Sequence, residues 1–193
     1  MDEQDNRLAE AFTVRSAAQT LIKRAVQVGQ HGTLADPDAL QQLDRELDGR
    51  LPTWYAELLA TVPLSGLYLG WQAYEPKADF DGPEDDFDGI EWLKWSDSHN
   101  IRVESLESYP GIAILKRGYI NVALDTTGGG DPYFIPTDQG DDPPLFQVYH
   151  DVSEDPDVIV REGRRLIAAS LSEFFRTALV LESMSGGSVS PTI

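Results

Sequence analysis

The chain has 193 residues, 41% of them hydrophobic, no cysteine and a formal net charge of −18. Its length suits a single domain of the usual ~100–200 residues, and its apolar share suits a packed core and excludes a disordered solvating chain. Absence of cysteine excludes a disulfide framework, a thiolate metal site and a cysteine nucleophile, while a surface this acidic repels phosphate backbones and anionic bilayers, which argues against direct binding to nucleic acid or membrane.

The N-terminus, Met1-Asp2-Glu3-Gln4-Asp5-Asn6, is acidic where a secretory signal is basic. No stretch approaches the ~20 apolar residues of a membrane span, so a cytoplasmic location is expected. Residues 7–28 predict a helix: Ala11, Val14, Ala18, Leu21, Ala25 and Val28 recur at spacings of three and four, and Arg7, Arg15, Lys23 and Arg24 make it the one basic stretch. It can pack on its own acidic body or on a second copy. Asp36-Pro37 opens a second helix, as an acidic cap followed by proline should, with Leu40, Leu43 and Leu47 on its apolar face. A third follows Leu51-Pro52, with Tyr55, Leu58, Leu59 and Val62 facing inward, and is closed by Pro63 and Gly66.

The period then changes. Residues 67–72, 90–95, 101–106, 112–116, 119–124, 133–135 and 145–150 are short runs rich in β-branched and aromatic residues, which predicts strands. Ile120, Val122 and Leu124 alternate onto one face, and Arg117-Gly118 lies at hairpin distance between two runs. Ser170 and Glu173 have capping-box spacing ahead of Leu171, Phe174, Phe175, Ala178 and Leu179, and a Gly/Ser tail ends the chain. The expected class is α+β, with N-terminal helices, a curved antiparallel or mixed sheet and a C-terminal helix packed on it. The expected division is a helical extension over 1–33, an α+β domain over 34–182 with an acidic insert at 75–91, and a tail over 183–193.

That insert is the most unusual passage. Asp79-Phe80-Asp81-Gly82 recurs as Asp86-Phe87-Asp88-Gly89 with Glu84 and Asp85 between, and no Lys or Arg lies between Asp79 and Glu91. A calcium loop of the EF-hand kind needs glycine at its sixth position, and Gly82 falls too early. That disfavours calcium without closing the reading, and the passage is more readily a solvated connection or a surface facing a basic partner, in which rings supply contact area and carboxylates steer. Trp92 and Trp95, three apart, belong on opposite faces of a strand. Gly128-Gly129-Gly130-Asp131 lacks the Lys and Ser/Thr of a phosphate loop and predicts a sharp turn between strands. His31, His99 and His150 are too scattered for a metal site. His150 with Asp131 could do acid–base chemistry, but no nucleophile motif accompanies them. No catalytic residue, metal ligand or cofactor is predicted.

In order along the chain, "RELDGRLPTWYAELLATV" with Leu51-Pro52, Tyr55 and Leu58, the turn Gly129-Gly130-Asp131, the strand Val148-Tyr149-His150 and the helix Ser172-Glu173-Phe174 resemble the SUKH superfamily, which includes the yeast Smi/Knr cell-wall regulators. The resemblance covers roughly residues 38–176. It implies helices on a curved sheet of about six strands, and a non-enzymatic binding protein. Many bacterial members are immunity proteins that block a cognate toxin, often a nuclease, and the yeast relatives offer the alternative of an intracellular adaptor. On that reading the partner is a protein with a basic surface, met by a monomer or weak homodimer. Asp79, Asp81, Glu84, Asp85, Asp86 and Asp88 would steer it, and Phe80, Phe87 and Trp92 would anchor it.

Overall fold

The computed structural model describes residues 3–75 and 88–182, and within the first helix the side chains from Val14 onward. In chain order the helices are α1 (Glu3–Gln27), α2 (Pro37–Glu46), α3 (Thr53–Thr61), α4 (Ser98–Leu106), α5 (Gly111–Ile114), α6 (Pro156–Glu162) and α7 (Leu171–Thr177). The strands are β1 (Tyr68–Gln72), β2 (Ile90–Trp95), β3 (Tyr119–Asp125), β4 (Tyr133–Pro136), β5 (Leu145–Val148), β6 (Arg164–Ala168) and β7 (Leu179–Val180). They form one curled antiparallel sheet in the order β6-β5-β4-β3-β2-β1-β7, so the α+β class and the curvature are as expected.

Among the N-terminal helices, α2 forms for a local reason. The Asp36 carboxylate accepts from the Asp38 amide at 2.9 Å, Pro37 needs no donor partner, and Leu40 and Leu43 enter the core. In α1, Val14, Ala17, Ala18, Leu21 and Ala25 form the buried stripe. This helix lies along α7, where the Arg24 guanidinium donates to the carbonyls of Phe175 (2.6 Å) and Ala178 (2.9 Å). Those acceptors belong to the end of α7, where a helix runs out of amide partners and a cation is favoured. α1 packs on its own chain.

Both faces of the sheet are covered. The inner face carries Leu69, Leu93, Trp95, Ile135 and Leu145 into the main core under the helices, and the outer face carries Tyr119, Phe134, Phe146 and Val148 against Ile114 of α5 and Ile159 of α6. Trp95 is inward and fully buried, while Trp92 is half-buried on the other face, as their spacing requires. The alternation expected through β3 breaks at a bulge between Asn121 and Ala123. Ala123 therefore pairs with Tyr133, and Leu124 moves out opposite Lys94 instead of joining Ile120. The side-chain amide of Asn121 holds the bulge by donating to the carbonyls of Ala123 (2.9 Å) and Tyr133 (3.2 Å), and its Oδ1 accepts from Ser96 at 2.6 Å.

Two predicted strands are helices. Residues 101–106 fall in α4, where Asp97 accepts from the Asn100 amide at 2.8 Å and Ile101 and Ser105, four apart, are the buried pair. Residues 112–116 lie in α5 and a 3-10 turn, Leu115–Arg117, so no hairpin joins them to β3; Gly118, at φ 79°, ends the turn. The outer-face helix α6, the strand β6 and the short β7 were not anticipated.

Candidate functional site

β1 and β2 are antiparallel neighbours in register from Tyr68↔Lys94 to Gln72↔Ile90, yet residues 73–89 run between them. The stem of that connection is clamped. The Ala73 and Tyr74 amides both donate to the Gly89 carbonyl (2.8 and 3.0 Å), and Gln72 Nε2 donates to the carbonyls of Tyr74 (2.6 Å) and Asp88 (2.8 Å). Gly89 is required here, because φ is +73° and a Cβ would stand 2.2 Å from the Tyr74 carbonyl oxygen. Asp88 is exposed, and its carboxylate accepts from the Ile90 amide at 2.9 Å. Asp79, Phe80, Asp81, Glu84, Asp85, Asp86 and Phe87 lie outside the described residues. Trp92 packs over Gly70, where an added Cβ would come within 2.9 Å of its ring, and its carbonyl accepts from Thr126 Oγ1 at 2.7 Å.

Beside this stem the inner face of the sheet ends in a polar and aromatic cluster. Register places Trp71 opposite Glu91, Tyr133 opposite Gln147, and Gln147 opposite Arg165, so side chains from β1, β2, β4, β5 and β6 meet at one end. Trp71 Nε1 donates to the Tyr133 hydroxyl (3.1 Å), and Gln147 Nε2 donates to Glu91 Oε2 (3.1 Å) and to Tyr133 (3.3 Å). Burial pushes the Tyr133 phenol well above its ordinary value, with the Trp71 hydrogen bond opposing. The hydroxyl therefore stays protonated and points its donor at Glu91, 3.5 Å away. Arg165 crosses from β6 to β1. Its guanidinium lies 4.7 Å from the Trp71 ring centroid and 5.0 Å from that of Tyr74, and it donates to the Ala73 carbonyl. One arginine thus clasps the two arms of the curled sheet beside the acidic connection.

The glycine run lies in the connection between β3 and β4. Asp125 organises it: one carboxylate oxygen accepts from the amide (2.8 Å) and hydroxyl (2.6 Å) of Thr127, the other from the Gly130 amide (2.8 Å). Gly128 and Gly130 have φ of 89° and 76°. Asp131 then reaches back to His150, accepting from its amide at 3.0 Å and meeting its Nδ1 at 2.8 Å. That hydrogen bond raises the His150 pKa above its ordinary value. With the folded value above the unfolded one, the contribution to stability is full below about pH 6.5 and is lost as pH rises through the folded value. Asp131→Asn is expected to bring the His150 titration, followed by its ring-proton NMR signals, down toward 6.5. An unchanged midpoint would show that Asp131 does not hold the imidazolium.

Glu91, Tyr133, Gln147 and Arg165 escaped the sequence reading. Their one local signal is that alternation through Arg164-Arg165-Leu166-Ile167-Ala168 sets Arg165 and Ile167 on one face. Burial keeps the Tyr133 phenol protonated as a donor toward Glu91, whose carboxylate also accepts from Gln147. The pair of exposed His150 and half-buried Asp131 lies apart from this cluster, where Tyr109, Asp151, Ser153 and Glu154 line a hollow with His150. Among the described residues no group of three or more His, Asp or Glu is placed to hold a metal ion, and no helix is long and apolar enough to cross a membrane. No protein-family model, curated protein or solved structure matches the chain.

Proposed function

We propose that the chain is a SUKH-type binding protein of the bacterial cytoplasm that neutralises a cognate toxin by direct contact and performs no chemistry of its own. One observation carries this reading. Two neighbouring antiparallel strands, which a two-residue turn could join, are instead connected by residues 73–89, and the stretch from Asp79 to Glu91 contains six aspartates and glutamates before Glu91 and no cation. Connections longer than about 12–15 residues inside a compact domain are usually functional or linker segments. This one is anchored firmly at its base and returns to the fold beside Tyr74, Trp71 and Arg165. The net charge of −18 supports a basic partner, and a nuclease that binds phosphate is the fitting target, since an anionic surface can occupy its cleft.

The test starts with the toxin recovered from the native host by pull-down and mass spectrometry. Reversing Asp79, Asp81, Asp85 and Asp86 to Lys is expected to abolish protection of cells expressing that toxin. Association of the wild-type pair is expected to slow markedly between low salt and 0.15 M, where the screening length is about 8 Å. Full protection by the reversed variant would refute the assignment. His150→Ala is expected to protect fully, and loss of protection by that variant with its fold intact would favour a hydrolase built on Asp131 and His150.

A further inference from the structure

The helix α3 is apolar nearly all round. Only Thr53, Glu57 and Thr61 are exposed, a single stripe at intervals of four, while Tyr55, Leu58 and Leu59 fill the core. A helix of this kind is normally covered on both sides. Between α3 and α2, however, the surface is cut by a groove of about 320 Å³ lined by Leu40, Leu51, Ala56 and Ala60, which also pack on the core, and by Asp44 and Glu57. Ala56 and Ala60 are one helical turn apart and present only methyl groups, so another helix could approach α3 at the short end of the usual 8–10 Å separation. Nearby, Asp36 and Asp38 at the start of α2 are exposed, and among the described residues Glu57 is met by Arg15, at 3.9 Å between two exposed side chains. Such a pair is weak and easily exchanged for another cation.

We propose that this groove is a second docking point on the protein, taking the apolar face of a short partner helix flanked by Lys or Arg. The inference rests on the reading above that the partner is a basic protein, and adds a surface built from α2 and α3, whose residues are not those of the acidic connection. Charge complementarity decides the occupant. An apolar floor inside a carboxylate rim, on a chain of net charge −18, favours a cationic amphipathic helix and disfavours a second equally acidic copy.

The probe is a synthetic amphipathic Leu/Lys helical peptide, with a Leu/Glu peptide of identical apolar face as control, titrated into the full chain and followed by methyl NMR. The Lys peptide is expected to shift the Ala56, Ala60 and Leu40 methyl signals. Ala60→Lys, which fills the groove, and Glu57→Lys, which leaves its shape intact, are each expected to weaken it about tenfold. Equal binding of the two peptides, or shifts confined to residues 88–92, would overturn the proposal. So would a dimer in sedimentation that Ala60→Lys dissolves, or Overhauser contacts in the free chain from another of its segments to the Ala56 methyl. Groove binding by the Lys peptide in a chain that protects against no toxin would uphold the docking point and discard immunity. Protection by the wild type that survives unchanged in both variants would discard the docking point alone.

Discussion

Trp95→Ala is expected to lower the free energy of unfolding by about 3–5 kcal/mol. The indole is fully buried at the end of β2, 6.1 Å from the Phe174 ring centroid and 5.1 Å from that of Phe175. Its backbone also ties β2 to the loop after α3, with the Trp95 amide donating to Leu67 and its carbonyl accepting from Gly66, both at 2.8 Å. Truncation leaves a cavity where the sheet meets α7, and α7 is the helix on which α1 lies. A loss of that size is a large part of the ~5–15 kcal/mol that holds a typical domain folded. Guanidinium unfolding of the variant against the wild type measures it. Trp95→Phe keeps an aromatic ring among the phenylalanines and should lose clearly less. A loss below about 1 kcal/mol for the alanine variant would show that the core closes over the gap.

Gly111→Ala should be nearly as damaging, by about 3 kcal/mol, although it adds a single methyl group. Built at that position, a Cβ stands 1.7 Å from the Glu104 carbonyl oxygen and 3.0 Å from the Ser105 Cα, all backbone. No rotamer change relieves such a contact, so α5 must move away from α4. The displacement reaches Ser105, whose hydroxyl accepts from the Asn121 amide at 3.0 Å and so supports the β3 bulge. The same denaturant series on Ile112→Ala, an exposed neighbour, should stay within about 0.5 kcal/mol of wild type. Equal effects at the two positions would show that the α4–α5 approach is not tight in solution.

Legibility in the sequence followed the range of the interactions. The pair Asp36-Pro37 declared α2 because capping and the proline constraint are local. The same pair recurs at Asp155-Pro156, where the Asp155 carboxylate accepts from the Asp157 amide at 2.8 Å and starts α6. With only Ile159 buried in its seven residues, α6 has no periodic face to confirm the signal. Ile101 and Val103 suggested a strand because β-branched residues favour one, but propensity yielded to the Asp97 cap and to burial of Ile101 against the core. The inner-face cluster was beyond reach for a different reason. Trp71, Glu91, Tyr133, Gln147 and Arg165 are brought together by register across most of the sheet, and a shift of one residue in any pairing would turn one of them away. Acidity and the odd length of the β1–β2 connection, by contrast, are visible in the string itself.

The clamp formed by Gln72 and Gly89 separates two evolutionary problems. Because the amides of Ala73 and Tyr74 and the side chain of Gln72 are all satisfied within the stem, the strands receive the same two ends whatever chain lies between them. Lengthening a surface loop costs little, about 0.6 kcal/mol per doubling, so residues between the ends can be inserted, deleted or recharged without renegotiating the core. On the function proposed above, the connection could be rewritten to meet a changing partner while the scaffold is inherited unaltered.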